Sequence, residues 1–481
     1  MSAVTPAPRL RILEVRLSER DVCLRMPFRF GVVTLTRAPQ AFLRARIALE
    51  NGREAWGVAA ELLVPKWFDK NAALSNEENF EQLREAVRMA CRLYTADPTP
   101  RSAFGLFAAN YRSQMAACAE RRLDPLVAGF GPALLDRAVL DGLCHLHGLS
   151  FFEAVRANLP GVAPVEFVPE LSTFAFGEFL ARLHHRETIH ARHTVGLIDP
   201  ITLADLAPGA RVGDGLPETL EEVMAAYGHT YFKLKVCGDA GKDLARLRAI
   251  AAVLDRLPEP YRATLDGNEQ YADVGGVLEL WQAMEGAPDL RRLREAILFI
   301  EQPIARAAAL GREVSRLSGQ RPVIIDESDA ELDAFPRARR LGYRGVSSKT
   351  CKGLYKSLLN AARCEVWNRE AGRPVYFMSG EDLTCQAGVS VQQDLALVSL
   401  LGLEHVERNG HHYVNGMAGA PAAEQRSFLA AHPDLYREEN GTVRLRIEKG
   451  RLAIGSLACP GYAVGAEPDW GAMREVPLSL S

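Results

Sequence analysis

The sequence predicts an α/β protein, a (β/α)-barrel preceded by an α+β module. From about residue 190 short apolar strand candidates alternate with amphipathic helices, the pattern of a parallel sheet. About eight such strands fall within roughly 220 residues, the size of one closed barrel. The first third reads as strands followed by helices, and the tail beyond about residue 430 leaves the alternation.

In chain order, "RILEVRLS", "FLRARIALE" and "REAWGVAAELLV" between residues 10 and 64 are alternating or apolar runs, with "ENG" (50–52) as a hairpin turn. "FEQLREAVRMACRLY" and "PALLDRAVLDGLCHLHG" space their apolar residues by three and four, as helices do. In the barrel section "TVGLI" (194–198) is the first strand candidate. "YFKLKV", "YRATLDGNE", "ILFIEQPI", "RPVIIDES", "GVSSK" and "PVYFMSGED" follow, each separated by a helical stretch, and "EHVERNG" is the last. In the tail "TVRLRIEKGRLAI" reads as one hairpin around "EKG".

Composition narrows the class. The 481 residues are 48% hydrophobic and 24% charged, which allows a sizeable core. A net charge of −3 gives no electrostatic case for nucleic acid or an anionic membrane. No apolar run approaches the roughly 20 residues of a spanning helix. The nine cysteines are scattered without a CxxC pair, and the start "MSAVTPAPRL" lacks a secretory pattern. A cytoplasmic location with reduced thiols is the expectation.

In a barrel, reactive groups sit at the carboxyl ends of strands. Those ends carry Lys233 and Lys235, then Asp266 with Asn268, then Glu301, then Asp326 with Glu327, then Lys349. The carboxylates Asp266, Glu301 and Asp326 lie 35 and 25 residues apart, about one βα unit each. A barrel therefore converges three hard oxygen donors on one point, a set that suits Mg²⁺. Lysines flank the trio from the strand before and the strand after. Period 2 puts Lys233 and Lys235 on one strand face, with Leu234 on the other.

These pieces, "KLK" (233–235), "DGN" (266–268), "EQP" (301–303), "DES" (326–328) and the lysine of "SSKTCKG" (347–353), resemble the enolase superfamily. Within it the chain resembles the muconate-lactonizing-enzyme-like branch of the mandelate racemase/muconate lactonizing enzyme family. The resemblance implies a modified TIM (β/α)7β barrel with an α+β capping domain built from the N-terminal region and the C-terminal tail. The corresponding boundaries are 1–155 for the cap, 190–430 for the barrel and 431–481 for the returning segment, in which "PGYAVG" (460–465) matches the family's closing stretch. It implies Mg²⁺ on Asp266, Glu301 and Asp326, with Asn268, Gln302 and Glu327 behind them. Lys235 and Lys349 are then acid/base groups on opposite substrate faces, with Lys233 assisting at the carboxylate. The implied activity is removal of the proton α to a carboxylate through a metal-stabilised enolate, giving racemisation, epimerisation, cycloisomerisation or syn-dehydration. Lys233 would be the fixed cation, and Lys235 the base made neutral by its charged neighbours and burial.

Taken singly, each motif has a plainer reading. KxK is commonly a solvated strand end, an acidic residue there a helix cap, and Asn268 a turn residue. Their common order is what favours a metal site. The histidines of "NGHHY" (409–413) read as a solvated loop, and Lys349 is preferred to Lys352 because it directly follows the strand. Glu381, Glu407 and Asn409, at the last two strand ends, are the candidate substrate-binding residues. Glu407 and Asn409 fall where dipeptide-epimerase relatives carry acidic residues that hold a substrate ammonium, and Asn at the second position tells against an amino-acid-derived substrate. Arg25, Arg29 and Lys66 are further candidates for an anionic group, each with a surface charge as its plainer reading. Extra residues at 199–219, 275–296 and 420–440 suit either site closure or an oligomer interface, and a homo-oligomer acting on a small carboxylate is expected. A mandelate-racemase-like acid-sugar dehydratase is disfavoured because "VYFMSGED" offers no histidine. Intact Lys235 and Lys349 speak against a non-catalytic metal-binding barrel.

Overall fold

A computed structural model of the chain describes residues 6–31 and 33–478. Strands β1 (Leu10–Phe30), β2 (Val33–Leu49) and β3 (Glu54–Leu62) form an antiparallel meander. Helices α1 (Asn76–Ala96), α2 (Ala103–Glu120) and α3 (Pro125–His147) follow it. Local chemistry sets the helix ends. Ser75 and Glu78 form a reciprocal capping box at the start of α1. Asp124 caps α3 ahead of Pro125, and Gly148, at φ +63°, ends it in the left-handed conformation. Helix α3 lies so close to the sheet that a Cβ at Gly57 would overlap the Ala138 carbonyl and the Gly142 amide.

Eight parallel strands form the barrel: β4 (Thr188–Val195), β5 (Tyr231–Lys235), β6 (Arg262–Asp266), β7 (Ile297–Glu301), β8 (Val323–Ile325), β9 (Gly345–Ser348), β10 (Phe377–Gly380) and β11 (His405–Arg408). They neighbour one another in sequence order, and β11 pairs with β4 to close the ring. Alternation divides each strand. On β5, Phe232 and Leu234 enter the apolar layer outside the barrel wall, and Lys233 and Lys235 turn into the barrel.

The first barrel strand starts earlier than the apolar run "TVGLI" suggests. It begins at Thr188, and the chain leaves it after Val195, with Ile198 49% exposed. The reading missed "TIHARHTV" because His190, Arg192 and His193 interrupt its apolar pattern, yet Arg192 and His193 are buried.

The tail also differs from a single hairpin. Strands β12 (Tyr436–Glu439) and β13 (Thr442–Leu445) make one hairpin, and β14 (Ile447–Glu448) and β15 (Arg451–Ala453) make a second around Lys449–Gly450. Strand β15 adds antiparallel to β4 of the barrel, and β16 (Arg474–Val476) joins β1 of the N-terminal sheet. Tyr462 stacks on Phe151 with ring centres 3.9 Å apart, a pairing worth roughly 0.5–1.5 kcal/mol beyond its burial. The sheet, its three helices and the end of the chain thus form a cap on the closed barrel.

Two of the insertions touch the cap. Asp214 takes the Arg25 guanidinium through contacts of 2.5 and 2.7 Å, and Glu424 takes Arg20 at 2.6 and 2.8 Å. Residues 275–296 contribute to helices Val274–Glu285 and Arg291–Ala296 on the barrel exterior. Among the described residues, no helix is long and apolar enough to cross a membrane.

Candidate metal centre and active site

Strand register assembles the site. Lys235 is level with Asp266 across β5–β6, and Asp266 is level with Glu301 across β6–β7. Asp326 directly follows β8, and Lys349 directly follows β9. Asp266, Glu301 and Asp326 are fully buried. Lys235 Nζ donates to Asp266 Oδ2 at 2.5 Å, and Lys349 Nζ donates to Asp326 Oδ2 at 2.7 Å. Lys352 also reaches Asp326, at 3.3 Å, but divides its ammonium among Ser347 and Asp329 as well. Only Lys349 of this pair lines the pocket, where the cap residue Trp67 lies over it at 4.4 Å.

Lys233 is the hub of the interior charge. Its ammonium lies 2.9 Å from Asp266, 2.8 Å from Glu301, 2.7 Å from Glu381 and 2.9 Å from Glu407. Burial opposes its charge, yet the four carboxylates raise its pKa well above the ordinary lysine value. Burial likewise works against ionised Asp266 and Asp326, but the adjacent lysines hold both carboxyls below the usual range. Glu301 behaves differently. Burial, and then the neighbouring Asp266 and Glu381 charges, push its pKa well above the usual value.

The donor chemistry fits a hard divalent cation. Both Glu301 oxygens are buried and find no hydrogen-bond partner among the described residues. The 2.8 Å approach of Lys233 is a charge contact without hydrogen-bond alignment. Ionised between two other carboxylates and free of hydrogen bonds, Glu301 is suited to take a cation in addition to Lys233. Three single carboxylates on neighbouring strand ends are the oxygen donors Mg²⁺ takes.

The residues behind the trio stitch its strands together. Gln302 Oε1 accepts from the Asp326 and Ser328 amides at 2.9 and 3.0 Å, tying β7 to the end of β8. Asn268 donates its amide N–H to Asp266 Oδ1 at 2.9 Å and its side-chain N–H to Glu327 at 3.2 Å. Both residues sit at positive φ, 38° for Asn268 and 31° for Gln302, which local hydrogen bonding sustains. Glu327 is fully buried beside Asp326, and burial followed by that charge raises its pKa to about 7.

The pocket above the carboxylates is walled by Phe28, Phe30, Val64 and Trp67 of the cap and by Leu383. Lys235, Lys349, Asn268, Glu407, Asn409, Asp382 and Thr384 supply its polar lining. Glu407 arrives nearly saturated: it accepts from Thr194 at 2.7 Å, from Lys233 at 2.9 Å and from the Asp382 amide at 3.0 Å. Asn409 Oδ1 is buried without a hydrogen-bond partner among the described residues. Glu381 lies deeper, held by Arg192, Lys233 and Ser379, and it does not line the pocket.

The three cap cations stand elsewhere. Arg25 is spent on Asp214 and the His412 carbonyl, Lys66 donates to the Asn71 and Leu74 carbonyls, and Arg29 is exposed. The "NGHHY" histidines are not a solvated loop: His412 is 3% exposed and His411 half-buried, because residues 410–413 form a helical turn packed on the outside of β4. Sequence reasoning also missed Arg192, Thr194, Trp67 and Asp382. The period-2 pair Arg192 and Thr194 was the available signal, once β4 is extended to Thr188.

The sequence model of the enolase C-terminal domain-like family matches residues 215–469, more than half of the chain. The chain belongs to this family. It is an enolase-superfamily protein of the mandelate racemase/muconate lactonizing enzyme type. No curated protein sequence matches it. Among solved structures, muconate lactonizing enzyme from Pseudomonas fluorescens, complexed with muconolactone, is 18% identical with a TM-score of 0.59, covering 96% of this chain and 98% of that one. A dipeptide epimerase from Enterococcus faecalis V583, complexed with Mg and the dipeptide L-Leu-L-Tyr, is 13% identical with a TM-score of 0.60, covering 95% and 99%. An enolase from Streptomyces coelicolor, a putative sugar isomerase by description, is 16% identical with a TM-score of 0.58, covering 95% and 94%. At these identities the likeness is one of fold, and it spans this enolase-superfamily chain's barrel and cap together.

Proposed function

We propose that this enolase-superfamily chain is a Mg²⁺-dependent enzyme that removes the proton α to a carboxylate. The observation that carries the reading is the placement of Lys235 and Lys349 in one pocket, each paired to a different outer member of the carboxylate trio. A divalent cation held by Asp266, Glu301 and Asp326 supplies, when bound, the positive charge that steadies a carboxylate as its α-proton leaves.

The chain's own residues do the rest. Lys235 precedes the trio in strand order and Lys349 follows it, so a carbon held between them meets one lysine on each face. A lysine that has shed its proton takes the α-proton, and the lysine opposite delivers one. Lys233 stays charged among its carboxylates as the fixed cation. Phe28, Phe30 and Trp67 exclude water and favour a small carboxylate with an apolar portion. Asn409 offers a substrate donor its unpartnered Oδ1, and Glu407 shapes the same wall with its charge answered by Lys233. Glu381 acts from below, fixing Lys233 and Arg192.

Proton NMR of α-hydrogen exchange in D₂O, over a panel of carboxylates with each enantiomer supplied separately, tests the reading. A racemase or epimerase shows opposite losses in Lys235→Ala and Lys349→Ala, each variant retaining exchange of one enantiomer. A cycloisomerase or syn-elimination enzyme loses all exchange in one variant and retains it in the other. Full exchange of both enantiomers by both variants removes the lysines from the mechanism.

A further inference from the structure

Three histidines from distant parts of the chain meet outside the barrel wall. His193 lies on β4, on the face opposite Arg192 and Thr194. His229 precedes β5, and His411 lies in the helical turn that follows β11. Their ring centres form a nearly equilateral triangle with sides of 5.3, 5.4 and 5.3 Å. One nitrogen from each ring lies within 4.8 Å of the other two.

That triangle has the dimensions of a metal site. With Zn–N bonds of about 2.0–2.1 Å, nitrogens on a tetrahedral ion stand roughly 3.4 Å apart and their ring centres roughly 5 Å apart. His193 Nδ1 and His411 Nε2 are 3.4 Å apart. His229 Nδ1 lies 2.9 Å from the Ala191 carbonyl, which can only accept, so the proton is on Nδ1 and Nε2 carries a lone pair. This is the outer hydrogen bond that orients metal-ligating histidines. His229 is fully buried, and its Nε2 has no hydrogen-bond partner among the described residues. Leaving such an atom unpaired in the interior is unfavourable, and a cation taking its lone pair offsets that cost.

The electrostatics agree with the geometry. Burial lowers the pKa of all three imidazoles, that of His229 to about 4, so they stand neutral with lone pairs available. The triad contains no carboxylate, so it suits a nitrogen-seeking ion and offers Mg²⁺ nothing. His411 is half-buried and lines a small pocket together with Tyr227.

We propose that His193, His229 and His411 form a second metal site, for Zn²⁺ or a divalent ion of similar preference, at the seam where β4 meets β11. Such an ion clamps the first and last barrel strands and fixes the helical turn that begins after Asn409.

The probes are Co²⁺ and Zn²⁺, added to the full-length protein in excess Mg²⁺. Wild type should bind one equivalent of Co²⁺ with the strong visible absorption of a low-coordinate, imidazole-ligated ion, and Zn²⁺ should displace it. Zn²⁺ should also raise the unfolding temperature. His411→Ala, chosen because its side chain is only half-buried, should weaken Co²⁺ binding by about 100-fold or more and abolish the Zn²⁺ shift. Absence of tight Co²⁺ and Zn²⁺ binding by the wild type overturns the proposal. So does an unchanged Co²⁺ spectrum and affinity in a folded His411→Ala protein.

Discussion

The barrel wall carries two polar clusters on opposite faces, and they are built on opposite electrostatic plans. Inside, Lys233 holds four carboxylates together, and Lys235 and Lys349 pair with two members of the trio. Outside, three neutral imidazoles face one another. One residue step along β4, from Arg192 to His193, separates the two environments. The comparison teaches that a barrel wall can isolate a charged oxygen site from an uncharged nitrogen site a strand's thickness away, because alternation sends adjacent side chains to different solvents.

The largest expected effect concerns what holds the inner cluster. Lys233→Met leaves Asp266, Glu301, Glu381 and Glu407 without their shared cation. The metal-free protein should lose about 3–5 kcal/mol, read from its urea midpoint, because one partner of a buried charge network is gone. An unchanged midpoint would mean that the interior charges do not depend on Lys233. A smaller effect, of the opposite sign, is expected from Glu301→Gln. Its carboxylate is buried and unbonded, so the amide should stabilise the metal-free protein by about 1 kcal/mol. A loss of stability would show that Lys233 already compensates Glu301 fully. The smallest effect tests the separation itself. His411→Ala should leave Mg²⁺ affinity within about twofold, since the two clusters share no partners. A larger change would couple them across the wall.

The two clusters also differ in how openly the sequence announces them. Asp266, Glu301 and Asp326 each end a largely apolar strand and Lys349 ends the next one, so order and spacing mark them as convergent. Lys233 and Lys235 stand out because charge on an apolar strand has few uses. His193, His229 and His411 had no such frame. They sit within a strand, before one and after one, and only closure of β11 on β4 brings them together. The same blind spot hid Arg192, whose strand is too polar to read as a strand. Glu381 was found by position, but the sequence does not tell a strand-end carboxylate that lines a pocket from one held beneath it by Arg192. The cap was legible as sheet and helices. Trp67 over Lys349 was not, because a contact between a cap loop and a barrel strand end leaves no periodic trace.

Calorimetric titration of Mg²⁺ into the wild type, Asp266→Ala and Glu301→Ala tests the central claim most directly. One equivalent should bind to the wild type, with affinity reduced by more than about 100-fold in both variants while their circular dichroism stays native. Mg²⁺ binding of wild-type strength in the two folded variants would contradict the assignment of the three carboxylates as the metal centre.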